Sequence, residues 1–314
     1  MAKEILHEGL SVDAARQLAN VTKTTAQFES LTPKWLTRLL DWKALEAAPF
    51  RANKVKEGNT LLDALCSEKD PNAPIPKGFI DYETKPREYE LKSVSTILEI
   101  KTSISDLYSS PYDQTDEQIR LTVESLKERQ ESEIINNDDY GLLKNAHDSQ
   151  RIQTRNGSPT PDDFDELISK VWKEPSFFLA HPRAIAAFGR ECTKRGVPPP
   201  TTTLYGSSFL TWRGIPIVPT NKLFVDGLKE PKSKAGKTNI LLIRTGEKKQ
   251  GVVGLYQDNL QNQRSRGLSV RFMGINDQAV ASYLLSIYCS AAILSKDAVA
   301  VLEDVDVGNY HEYL

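Results

Sequence analysis

DQTDEQIRLTVESLKERQESEII, residues 113–135, holds neither glycine nor proline. Ile119, Val123, Leu126 and Ile134 follow one another at spacings of four, three and eight, which places them on one helical face. Thr115 and Gln118 have capping-box spacing, and Asp113 and Asp116 put negative charge at the N-terminal end of the helix dipole. Asn136, Asn137 and Gly141 are stop signals. Such a helix runs about 35 Å, the span of a small domain. Its apolar stripe is narrow and its flanks are charged. It reads as a spine laid along a broad, flat body that touches neighbours, with Glu124, Glu128, Glu131 and Glu133 forming a solvated or intersubunit face.

The 314 residues suffice for one large or two ordinary domains. With 39% hydrophobic and 26% charged residues the chain reads as soluble and globular. A formal net charge of −2 supplies no whole-chain attraction to nucleic acid or to an anionic membrane. MAKEILHEGLSVDAARQ lacks the apolar core of a signal peptide, and no apolar run approaches the ~20 residues of a membrane helix. Cys66, Cys192 and Cys289 are odd in number and far apart, as reduced cytosolic thiols are. The expected location is the cytoplasm.

Around the spine, the first thirty or so residues are too sparsely apolar to bury a helix of their own, and read either as an arm lying on something else or as a frayed terminus. Thr32-Pro33 reads as a helix start, with Trp35, Leu36, Leu39 and Leu40 on one face and Pro49 ending the region. Phe50 to Lys56 reads as a strand, and Gly58 to Gly78 as an exposed loop. REYELKSVSTILEIKTSI, after Pro86, alternates for longer than an ordinary strand. Paired with residues 50–56 it makes a long, polar, two-stranded ribbon that a second subunit covers; the alternative is a strand inside the protomer's own sheet. Thr160-Pro161 opens a helix with Phe164, Leu167, Ile168, Val171 and Trp172 inward, and Pro182 to Arg195 is another. Beyond Pro198-Pro199-Pro200 strand features dominate: TTTLYGSSFLTWRGIPIVPT, NILLIR, residues 251–256 and LSVRFMGI. Tyr283 to Ile293 alternates like a strand but also fits a helix with Ser282, Ser286 and Ser290 on its polar face.

Chemistry-bearing motifs fail one by one. The four histidines have no metal-ligand neighbour at helical or hairpin spacing, and the spine carries no Glu-x-x-His pair. Gly236-Lys237-Thr238 ends like a phosphate loop, but position 231, where the first glycine would stand, is Pro231. His181 and Cys192 are a conceivable base and nucleophile, with a buried structural thiol the preferred reading. No catalytic, cofactor or metal residue is assigned, and the chain reads as not an enzyme.

The order of arm, extended hairpin, spine helix, mixed domain and β-rich lobe resembles the Hong Kong 97 phage major-capsid fold, an α+β architecture. The strings DAARQLANVTKT (13–24), DYETKPREYEL (81–91), DLYSSPYDQ (106–114), VWKEPSFFLAHP (171–182), LYG (204–206), TWRG (211–214), QGVVGLYQ (250–257) and LSVRFMGIN (268–276) are similar to the family 2A encapsulins, shell proteins of that superfamily. The resemblance implies a protomer of a closed icosahedral shell, most simply of about sixty copies. Its parts would be an N-terminal arm (1–45), an extended loop (46–104), a peripheral domain with the spine (105–198 plus 281–314) and an axial domain (199–280). By the same analogy the Tyr283–Leu294 run is a strand. The implied cargo is a cysteine desulfurase, whose pyridoxal phosphate belongs to the cargo, giving a role in sulfur storage in a bacterial cytoplasm. Neither a membrane nor nucleic acid is an expected partner. A sister group carries an inserted cyclic-nucleotide domain, for which this chain has no room. The turn 191–197, with Glu191, Lys194 and Arg195, is the candidate pore lining. The alternative with the same fold is a prophage capsid protein that packages DNA.

Overall fold

The protein is described here by a computed structural model. It describes Asp13 and residues 32–46, 49–56, 78–101, 113–226 and 236–310. The expected arm before residue 32, the loop of residues 58–77, most of the basic loop of residues 229–237 and the end of the acidic tail lie outside the described residues.

Helix α1 (Trp35–Leu39) leads into β1 (Asp41–Leu45), β2 (Phe50–Ala52), β3 (Arg87–Tyr89) and β4 (Lys92–Lys101). The spine is α2 (Gln114–Asn136), followed by α3 (Leu142–Asn145), β5 (Arg151–Gln153), α4 (Pro161–Lys170), β6 (Phe177–Ala180) and α5 (Pro182–Lys194). Strands β7 (Thr201–Leu204), β8 (Ser207–Trp212), β9 (Ile215–Pro219), β10 (Lys237–Ile243), β11 (Val252–Gln257), β12 (Gln263–Ser265), β13 (Leu268–Ile275), β14 (Val280–Ile293) and β15 (Val299–Asp306) complete the chain.

Two large sheets take all of these strands but β2 and β3, which pair with each other. One runs β1-β11-β14-β13-β12, with β4 on the other edge of β14; the other runs β5-β15-β10-β6-β9-β8-β7. β14 organises the first sheet. It pairs with β4 from Val280↔Lys101 to Cys289↔Lys92, and its opposite edge takes β13 and then β11. Its ambiguous pattern is therefore settled as a strand. Leu285, Ile287 and Cys289 face the spine and bury Ile119 and Leu126, with Val123 beside them. The second sheet packs against α4 and α5 through Phe164, Leu167, Phe178, Phe188 and Leu242. The C-terminal turn of the spine, Ile134 and Ile135, enters a third cluster with Leu36, Leu40, Leu241, Ile243 and Val301, where the two sheets meet.

Four expectations are corrected. The spine cap is Asp113, whose carboxylate accepts from the N–H of Thr115 and Asp116; Thr115 is already inside the helix. The 35–40 helix stops at Leu39, and Asp41–Leu45 is a strand parallel to β11, because Trp42 packs flat on Gly254, where a Cβ would lie 2.8 Å from its ring. The long ribbon is replaced by a short hairpin of β2 and β3, while β4 joins β14 inside the protomer, since its alternating Val94 and Leu98 have the spine to pack against. Trp172 lies past the end of α4 and is exposed. β11, β12 and β13 belong with β14, whereas β5, α4, β6, α5 and β15 belong with β7–β10, as the hydrogen-bond registers require.

Candidate functional site

Residues 32–40 cross the spine and touch both sheets, and the contacts are built around carboxylates. Glu124, Glu128 and Glu131 recur at four and three, so one flank of α2 presents all three. Glu128 accepts the backbone N–H of Thr32 at 2.7 Å and the Thr32 hydroxyl at 2.8 Å. Its two oxygens also meet Lys34 at 3.3 Å and Lys222 at 2.5 Å. Lys34 reaches Glu124 at 3.1 Å, and the Thr37 hydroxyl lies 3.5 Å from Glu131. Thr32 is thus a ligand of the spine rather than a helix cap; the residue before α1 is Lys34, which makes no side-chain cap.

Glu128 and Glu131 are buried, Glu131 to 1% exposure, so they are not the solvated or intersubunit face expected from their charge. The reason is that the 32–37 segment lies over them. Burial opposes ionisation of Glu128, but Lys222 and the two donors of Thr32 hold its pKa below the ordinary value. For Glu131 burial prevails: its pKa rises to about 7, with the Glu128 charge adding to the rise and Lys222 and Lys34 opposing it. Glu133 faces elsewhere, onto Arg129 at 2.5 Å and Asn137.

The segment is held from the other side by aromatic packing. Trp35 sets its ring edge-on to Phe209, 5.1 Å between centroids, and lies 6.3 Å from Tyr205. Arg38 covers the Trp35 ring at 5.4 Å, and Trp42 Nε1 donates to the Thr37 carbonyl. One short stretch therefore staples the spine to the β7–β8 turn and to the loop carrying Lys222. The sequence signal for it was the glutamate spacing, which repeats the i, i+4, i+7 period of a buried face.

A second charged cluster pins the place where the chain passes between the sheets. Arg244, 1% exposed, binds Asp297 at 2.8 Å, and Asp297 also meets Lys173 and Ser295. Burial works against that carboxylate, yet Arg244, Ser295 and Lys173 hold it far below the usual range. The Arg244 backbone donates to Ala298 and accepts from Val252, so one residue is tied to both crossings. Gly251 is needed there, because a Cβ would fall 2.4 Å from the Arg244 carbonyl.

The remaining sequence candidates are placed as follows. His181 is the N-cap of α5 and accepts from Arg183 N–H, while Cys192 sits near the other end of the same helix, about 16 Å along the axis. Burial pushes the Cys192 thiol up to about 11, a protonated core group. Gly236 and Thr238 flank the start of β10. Glu191 is buried and pairs with Arg195 at 2.9 Å, whereas Lys194 and Arg195 project at the exposed end of α5.

Comparison with known proteins matches residues 48–309 to the family model of the SrpI-like type 2A encapsulin shell proteins. The type 2A encapsulin shell protein SrpI of Synechococcus elongatus is 58% identical over 300 residues, 96% of this chain and 95% of its own. That of Mycolicibacterium paratuberculosis is 53% identical over the same shares. The cryo-electron-microscopy structure of the holo-SrpI encapsulin complex from Synechococcus elongatus superposes with a TM-score of 0.82 at 55% identity, over 97% of this chain and 99% of that one. A chain from Microbacterium phage Oxtober96 shares the fold, with a TM-score of 0.62 at 10% identity over 93% of this chain and 98% of that one.

Proposed function

The chain belongs to the type 2A encapsulin shell family, and from that premise we propose that its shells enclose a cysteine desulfurase and serve sulfur storage in the cytoplasm. It is a shell protomer with the Hong Kong 97 fold, a structural protein and not an enzyme. The observation that carries the cargo reading is the family resemblance along nearly the whole chain, 58% identity to SrpI over 96% of it. The desulfurase would bring its own pyridoxal phosphate, and this chain would supply enclosure and passage for small solutes.

In the same reading residues 105–198 and 281–314, the spine among them, form the peripheral domain and residues 199–280 the axial domain, and about sixty copies close the shell. Lys194 and Arg195, exposed at the end of α5, would face an opening, with Glu191 bracing Arg195 from within. The test is co-purification. Shells isolated from cells that carry the desulfurase gene should contain that enzyme by mass spectrometry, with pyridoxal absorbance and desulfurase activity inside. Shells holding nucleic acid, or no desulfurase, would overturn the cargo reading. Exchange of both Lys194 and Arg195 for Ser should change the rate at which anionic solutes reach the lumen; unchanged entry would remove them from the opening.

A further inference from the structure

Along residues 281–287 of β14 the sheet ends in two rims with very different residues. On one, β13 is covered by β12 only at Ser269 and Leu268, with Val270 N–H reaching Asn262. From Arg271 to Ile275 its outer edge has no strand partner among the described residues. That stretch exposes Phe272 (52%), Met273 (56%) and Ile275 (66%). Arg271 is exposed and has no ion-pair partner among the described residues. The strand is bulged at Phe272/Gly274, with Gly274 at φ 139° and open space where a Cβ would be. Bulges of this kind keep an edge from pairing indiscriminately. Phenylalanine, methionine and arginine together are what interface cores select, and a contiguous apolar rim of this sort marks a docking surface.

The opposite rim is β4, whose outer edge also has no strand partner among the described residues. It exposes Ile97 (55%), which lies in register with Arg271 through Leu284. Glu99 is exposed on the same face two residues on, and no cation pairs with it among the described residues. Residues 263–275 hold three arginines and no acid. One edge of the sheet is therefore basic and apolar, and the other offers an aliphatic side chain beside an exposed carboxylate, with Lys101 further out. Two complementary surfaces on opposite sides of one body make a head-to-tail contact, which closes when the rotation between copies is fixed.

We infer that the Arg271–Ile275 rim is a contact between protomers and takes the β4 rim, Ile97 and Glu99, of a second copy of this chain. The contact rests on the shell reading but not on the cargo, so empty shells of the chain alone test it even if the desulfurase reading fails.

The experiment compares particle yield by negative-stain microscopy and size exclusion. Arg271→Glu with Phe272→Ser should lower the yield about tenfold or more, as loss of a central anchor does, while the dissociated chain keeps its circular dichroism and cooperative melt. Wild-type particle yield from that variant would overturn the contact. Glu99→Arg added to a chain carrying Arg271→Glu alone should raise its particle yield back towards the wild type; no gain over Arg271→Glu alone would overturn the pairing with β4. Met273→Cys offers a reading that does not depend on disruption. Its labelling by a maleimide, scored against the unsubstituted chain, should be protected in intact shells and fast after dissociation. Equal rates in both states would remove the rim from the interface.

Discussion

The two buried charge clusters differ in which parts of the molecule they tie together. Arg244, Asp297, Ser295 and Lys173 sit where β10 leaves for β11 and β14 leaves for β15, and bind within one corner of the molecule. Glu128 instead gathers Thr32, Lys34 and Lys222, segments separated from it by 94 to 96 residues. The first cluster is part of the frame and assembles whenever the sheets do. The second forms only when the segment leading out of the N-terminal region lies on the spine. It couples that segment to both sheets, while the first couples the sheets alone.

Breaking the frame should have the largest effect. Arg244→Ala leaves Asp297 largely buried with only Lys173 and Ser295, and should cost about 3–5 kcal/mol, measured as a fall in the thermal unfolding midpoint and in soluble shell yield. Next comes pH. Glu131 has a native pKa of about 7 against 4.5 for the free group. The native state therefore holds a proton that the unfolded chain has lost, and stability falls as pH rises from about 4.5 to 7, levelling off above. The full fall corresponds to about 3 kcal/mol. Glu131→Gln should flatten the unfolding midpoint across that window; an unchanged slope would show that another group titrates there.

At lower pH the sign reverses. Asp297 and Glu128 have lowered pKa values, so the stability they contribute is present above the ordinary carboxylate range and is lost as pH falls below it. Lys222→Met removes one of two cations on Glu128 and should cost about 2 kcal/mol. Unlike Arg244→Ala, it should also raise the rate of proteolysis within residues 32–40. Thr32→Val keeps the backbone donor and removes the hydroxyl, for about 1 kcal/mol and a smaller change in the same digest. If Arg244→Ala and Lys222→Met produced the same digest, the distinction between frame and staple would fall.

How much of this was legible depends on whether the relevant contact is local. The spine was readable because its period, its acidic first turn and its asparagine stop all lie within the helix, and only the cap was misplaced, from Asp113 to Thr115. β14 was readable as a strand or a helix and no further, because Ser282, Ser286 and Ser290 fit both periods; pairing with β4, β11 and β13 decided it. β1 looked like more helix because Leu39 and Leu40 continue the face of Trp35 and Leu36. What overrules that period is Gly254, two hundred residues away.

The candidate site was legible in its residue types and not in its role. Glu124, Glu128 and Glu131 stood out as charge on a surface helix, and charge on such a helix ordinarily faces water. Only when residues 32–37 lie over them do two of the three become buried, and then Lys34, Lys222 and Thr32 must be present to offset the loss of water.

By itself the sequence determined the spine and most of the other helices and strands, β1 and β14 excepted, the α+β class, and through its long matching strings the shell family. The tertiary structure alone decided who pairs with whom: β4 with β14 rather than with β2, and Thr32 with Glu128 rather than with its own helix. It also decided which strands share a sheet. The physical reason is that periodicity records which face of an element is apolar, whereas strand edges and carboxylates find partners through space.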